Sequence, residues 1–114
     1  MTGDEYQILA GRTINNNLTF TGQEHQALCG MCGEVGELHS LYQKTYQGHK
    51  FEEEDAKKKL GDLLWFIAEY CTAMHWRLND IMDLNIEKLR DGYPDGFDDW
   101  YRLHSTDANS CSRS

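Results

Sequence analysis

Proline is nearly absent: one residue in 114, beside ten glycines. That composition argues against an all-β fold, whose many turns draw on proline. Long apolar runs are missing too. The longest, LLWFIA at 63–68, falls far short of the ~18 residues that a membrane span requires, and reads as a core segment. The first residues, MTGDEYQ, carry neither a basic region nor an apolar stretch, so no secretory leader is expected. Positive charge is scarce: 11 lysines and arginines stand against 19 aspartates and glutamates, a net charge of -8. Binding to nucleic acid needs clustered cations along a phosphate backbone, so neither nucleic acid nor a membrane is expected as a partner. An acidic protein that handles polyphosphates needs metal cations to bridge the repulsion.

What is present is the mixture of a soluble globular chain, 39% hydrophobic and 26% charged. The length suits one domain, small enough for oligomerisation to help its core. Residues 1–103 are expected to form it, and the polar stretch 104–114 to be a disordered tail. Four cysteines without an export signal read as reduced thiols of a cytoplasmic protein.

Hydrophobic periodicity predicts four helices and no strand. The first covers about 3–13, opened by the capping box Thr2-Gly-Asp-Glu5, and the run Asn15, Asn16, Asn17 breaks it. A second capping box, Thr21-Gly-Gln-Glu24, is expected to start a longer helix that reaches about Tyr46, with Leu28, Met31, Cys32, Val35, Leu38 and Tyr42 as its apolar stripe. A third, about 52–75, would bury Leu60, Leu63, Leu64, Ile67, Cys71 and Met74. The fourth would be capped by Asn79 and stopped by Gly92 and Pro94, and the aromatic, acidic stretch 93–103 would pack as an irregular cover. Short links between such helices favour antiparallel neighbours in a bundle.

Several residues on this frame carry chemistry. Glu34 and Glu37 in GEVGEL lie three apart and share a helix face; a solvated acidic edge explains a lone pair of this kind equally well. Asp62 sits in the apolar context LGDLLWF, where a carboxylate is costly unless it is paired or bound to metal; a salt bridge to Lys58 is the plainer alternative. Carboxylate oxygens suit magnesium or manganese rather than zinc. Asn85 and Lys88, followed by Arg90 and Tyr93, offer donors for polyphosphate oxygens, or are simply a helix end with cations near its negative pole. Cys29 and Cys32 form a CxxC with His25 one turn earlier, but a second pair is missing and the motif lies inside a helix, so two small core residues are the expectation. Trp65, Phe66 and Trp76 read as core aromatics, with Trp76 or Trp100 open to stacking on a base.

The blocks YQILAGRT, ALCGMCGEVGEL, KLGDLLWFIAEYCTAM and LNDIMDLNIEKLRDGYPDGF, in this order between Tyr6 and Phe97, resemble the MazG-like nucleotide pyrophosphohydrolases, the all-α NTP pyrophosphatases. The resemblance implies an antiparallel four-helix bundle that assembles as a homodimer or homotetramer. It implies magnesium, with manganese as a substitute, and hydrolysis of a nucleoside triphosphate to monophosphate and pyrophosphate. Glu34, Glu37 and Asp62 match the family's metal-binding carboxylates, and Asn85, Lys88 and Tyr93 its phosphate-side residues. Gly92 stands where an arginine is frequent, and Arg90 partly replaces it.

At position 59 the family pattern has a glutamate, and this chain has Lys59. Three outcomes follow. Lys59 takes the place of one cation; or it turns aside and Glu54 or Asp55 approaches instead; or the site keeps nucleotide binding without catalysis. The expected function is a house-cleaning NTP pyrophosphohydrolase, with Lys59 in its catalytic group. The alternative is a catalytically impaired homologue that binds nucleotides or serves as an interaction protein.

Overall fold

A computed structural model describes residues 1–93. Four α-helices follow one another: α1 Gly3–Gly11, α2 Phe20–Tyr46, α3 Glu53–Ala73 and α4 Leu78–Gly92. Among the described residues there is no strand, so the all-α reading holds. The aromatic stretch with Trp100, the stop at Pro94 and the tail with Cys111 lie outside the described residues. The chain divides into two compact units, Met1–Asn79 and a second that begins at Asp80.

The helix ends follow the side chains available to them. Thr2 accepts the Glu5 N–H at 3.0 Å, while the Glu5 carboxylate accepts the Thr2 N–H at 2.6 Å, which completes the expected capping box. The start of α2 differs from the expectation. Thr19, not Thr21, is its N-cap, with the hydroxyl accepting the Gly22 N–H at 3.0 Å. The helix therefore begins at Phe20. α1 stops at Gly11, two residues early, because Thr13 folds back to donate both its N–H and its hydroxyl to the Ala10 carbonyl. α2 ends where expected: Gly48 takes a φ of 103°, and His49 and Gly48 donate to the carbonyls of Lys44 and Thr45. The same double closure ends α3, with His75 in the left-handed region (φ 60°) and Trp76 donating to Cys71.

Asn79 is not the cap of α4. The helix opens at Leu78, and the Asn79 side-chain oxygen accepts the Asp4 N–H at 3.2 Å. Gln7 of α1 is the clasp here. Its amide donates to the Thr72 hydroxyl at 3.1 Å and to the Trp76 carbonyl at 2.9 Å, and its oxygen accepts the Leu78 N–H at 2.7 Å. Asp4 pairs with Arg77 at 2.5 Å, and the Trp65 indole donates to Thr13 at 2.8 Å. Since Gln7 meets Thr72 and Thr13 meets Trp65, α1 runs antiparallel to α3.

The fully buried apolar residues are mostly small: Ala10, Ala27, Ala56, Ala68, Cys71 and Ala73, with Leu78. The predicted stripes are only partly covered. Leu60 is 52% exposed and Leu64 42%, while Leu63, Ile67 and Met74 are half-buried. On α2, Leu28, Val35 and Tyr42 are exposed, as is Cys32. The reason is visible at Gly30. A Cβ there would lie 2.3 Å from the Phe66 ring, so α2 meets α3 through Ala27 and Gly30, one side of the larger stripe. Trp76, expected in the core, is also substantially exposed, with its edge on Tyr70 at 5.9 Å between ring centroids.

Candidate functional site

Three cross-helix contacts fix the register of α2 and α3. The Gln26 amide donates to Glu69 at 2.9 Å, Gly30 lies under Phe66, and Glu37 is ion-paired with Lys59. Each step up α2 is matched by a step down α3, so the two are antiparallel. That register sets Glu34 level with Asp62.

The seam therefore gathers Glu34, Glu37, Lys59 and Asp62, the four residues singled out on these helices. Lys59 does not turn aside. Its ammonium is bound to a Glu37 oxygen, and that hydrogen bond holds its pKa above the ordinary lysine value. Partial desolvation works against the rise, and the charges of Glu37, Glu34 and Asp62 add to it. The ammonium whose charge reaches Asp62 is thus Lys59 rather than the Lys58 considered from sequence. Lys57 pairs along its own helix, with Glu53 at 3.2 Å and Glu54 at 3.7 Å, and Asp55 is exposed in the first turn of α3. Glu34 is different from Glu37. One of its carboxylate oxygens is out of water and has no hydrogen-bond partner.

Two further residues join this seam without having been singled out. Tyr6 of α1 has its hydroxyl pKa raised, first by burial and then by the charge of Asp62, so α1 brings a phenol to the cluster. Nothing in the spacing of α1 points across more than fifty residues to Asp62. Glu69 is 1% exposed, bonded to Gln26 through one oxygen and unpartnered at the other. Burial pushes its carboxyl pKa up, opposed by the Gln26 bond. A lone acid in the apolar run WFIAEYC is the same signal that marked Asp62, so Glu69 was legible.

An open hollow of about 570 Å³ is lined by Met31, Cys32, Val35, Gly36, His39 and Leu63, with none of the seam's charged side chains in its lining. Val35 and Gly36 fall between Glu34 and Glu37 in sequence and Leu63 follows Asp62, but successive helical side chains point in different directions, so the hollow opens on another side of α2 from the ion-paired seam. A second hollow, about 470 Å³, lies between α1 and the end of α3, against Asp4, Gln7, Ile8, Gly11, Thr72 and Arg77.

The candidate phosphate residues sit on α4, in the second unit. Asn85 and Lys88 are exposed and three apart, so they share a face. Arg90 lies in the last turn, and the Tyr93 N–H closes the helix on the Leu89 and Arg90 carbonyls.

The cysteines do not make a metal centre with what surrounds them. His25 and Cys29 approach to 3.6 Å, both exposed, and among the described residues no three His, Cys, Asp or Glu side chains are placed to hold an ion. Cys71 is buried, which raises its thiol pKa and makes it a poor nucleophile. The same geometry bears on magnesium. The carboxylates are the right donor type, and the unpartnered Glu34 oxygen is an acceptor in want of a cation. Glu37, however, already holds an ammonium. As folded, the three carboxylates do not fit a resident magnesium ion.

Compared with known proteins, the chain matches no family model, no curated sequence and no solved structure. No helix among the described residues is long and apolar enough to cross a membrane.

Proposed function

We propose that the α2–α3 seam is the active site of a nucleotide pyrophosphohydrolase of the MazG-like kind, which cleaves a nucleoside triphosphate to the monophosphate and pyrophosphate. The observation that carries this reading is the gathering of Glu34, Glu37, Lys59 and Asp62 across two antiparallel helices. The substrate is the magnesium complex of the triphosphate, whose own cation offsets its charge against the carboxylates. The hollow at Met31, Val35 and Leu63 has the size and apolar lining of a small-ligand site, and the nucleoside is assigned to it.

In this reaction water adds to the α-phosphorus and the bond from it to the bridging oxygen breaks. Pyrophosphate leaves with the electron pair. Glu34 takes the proton from the attacking water, because Lys59 binds Glu37 and leaves Glu34 without that ion pair. Lys59 presents an ammonium to the charge that develops on the phosphate oxygens. The amide, ammonium, guanidinium and phenol of Asn85, Lys88, Arg90 and Tyr93 are donors of the chemistry that such oxygens accept. Homo-oligomerisation, as homodimer or homotetramer, belongs to the same reading, since Leu28, Val35 and Tyr42 stand exposed on α2 at seven-residue spacing. So does a cytoplasmic, reducing setting, where Cys29, Cys32 and Cys71 stay free thiols.

The test is pyrophosphate release from a panel of ordinary and modified nucleoside triphosphates with magnesium or manganese, against a chelator control. Release from at least one substrate, abolished by chelation of its cation, is the expected result. The Glu37–Lys59 pair favours one other reading, the impaired homologue. Nucleotide binding by folded protein with no release across the panel would establish it in place of the enzyme.

A further inference from the structure

Three carboxylates at one seam need positive charge nearby, and the chain supplies it covalently. Lys59 reaches across from α3 to bond Glu37 on α2 and feels the charges of Glu34 and Asp62. Of its three N–H donors, one is engaged by Glu37, while Glu34 and Asp62 act on it through their charge. Lys57, two residues earlier, shows the ordinary alternative: it stays exposed and pairs with Glu53 and Glu54 of its own helix. A lysine side chain tied to its helix cannot diffuse away, so it faces Glu37 at high effective concentration. A free divalent ion entering the seam has to displace it and then share the space with it. Each unit charge at short range, partly screened by solvent, changes the affinity for such an ion by about an order of magnitude.

We propose that Lys59 is a tethered cation standing in the place of a divalent ion at the α2–α3 seam, so that the free protein takes up no divalent ion there and meets magnesium only with its nucleotide. The last clause rests on the function proposed above; the first stands on the seam itself. Binding of manganese to the nucleotide-free protein, followed by the electron paramagnetic resonance signal of the free ion, tests it. The wild-type chain is expected to leave manganese free up to about 1 mM. Lys59→Glu reverses the charge and should bind at least one ion per chain, on the order of 100-fold more tightly than wild type. Lys57→Glu, the same charge change on the exposed pair, should behave as wild type does. If Lys59→Glu fails to fold by circular dichroism, Lys59→Met removes the ammonium without adding a charge, and about tenfold tighter binding is expected. Wild-type binding within a few-fold of these position-59 variants, or an equal gain in Lys57→Glu, overturns the proposal. No nucleotide is present in this experiment, so its failure is separate from any failure to hydrolyse one.

Discussion

Glu34→Gln is expected to lower the rate of pyrophosphate release at least 100-fold while leaving the helical spectrum unchanged. General bases typically contribute about 10²–10⁴ to rate, and an amide cannot accept the proton of the attacking water. Glu34 is singled out from Glu37 by its partners. Glu37 has its charge engaged by Lys59, whereas Glu34 keeps one oxygen out of water and unbonded. The substitution is nearly isosteric and removes a charge that nothing pairs at that oxygen, so the fold has no reason to suffer. The loss should appear in kcat more than in KM, because the proton moves only in the transition state. A kcat within tenfold of wild type would take the base assignment away from Glu34.

The second large effect is on stability, at Glu69. This side chain is 1% exposed, accepts one bond from Gln26, and leaves its other oxygen without a partner. An unsatisfied buried polar group costs about 1–3 kcal/mol, and more when charged. Glu69→Gln keeps the acceptor that Gln26 uses and removes the charge. Burial raises the folded pKa of Glu69, so the folded state holds this proton to higher pH than the unfolded chain does. Its stabilising contribution is whole below the unfolded carboxyl value of about 4.3, and it is lost as pH rises through the raised folded value. The variant has nothing to lose over that window. Its Tm should therefore exceed the wild-type Tm by about 4 °C or more at neutral pH, and the gap should close as pH falls toward about 4. Thermal unfolding followed across that range checks both the sign and the trend. A gap that is constant with pH would mean that Glu69 is not the titrating group.

Much of the fold was legible because helix patterning is local. The capping box at Thr2 and Glu5, the stop at Gly48 and the antiparallel pairing of α2 and α3 all follow from residues close in sequence. The errors came where a distant group competes for a side chain. Asn79 has the chemistry of a cap, yet Asp4 uses its oxygen. Thr21 fits a capping box, yet Thr19 lies two residues earlier and caps first. Leu60 and Leu64 are apolar at helical spacing, but the close approach at Gly30 turns the packed face of α2 toward smaller residues and leaves the wider rows uncovered.

The site divides in the same manner. Glu34, Glu37 and Asp62 stood out because each is an acid at an apolar edge, and Lys59 only because the resemblance implies a glutamate at its position. That these four meet depends on helix register, which no single segment encodes. Tyr6 of α1 feels the charge of Asp62, a proximity that sequence spacing cannot express. The donors of α4 were readable as chemistry alone, by the types and spacing of Asn85, Lys88, Arg90 and Tyr93.

The most direct measurement is a titration of isotope-labelled protein with a nucleoside triphosphate analogue that carries an imido bridge between its α and β phosphates, in the presence of magnesium, followed by amide chemical shifts. The expected perturbations centre on Glu34, Glu37, Lys59 and Asp62 and extend into the hollow at Met31, Cys32, Val35 and His39. Perturbations confined instead to the other hollow, at Asp4, Gln7, Ile8, Thr72 and Arg77, would place the nucleotide away from the carboxylate seam and contradict its assignment as the active site.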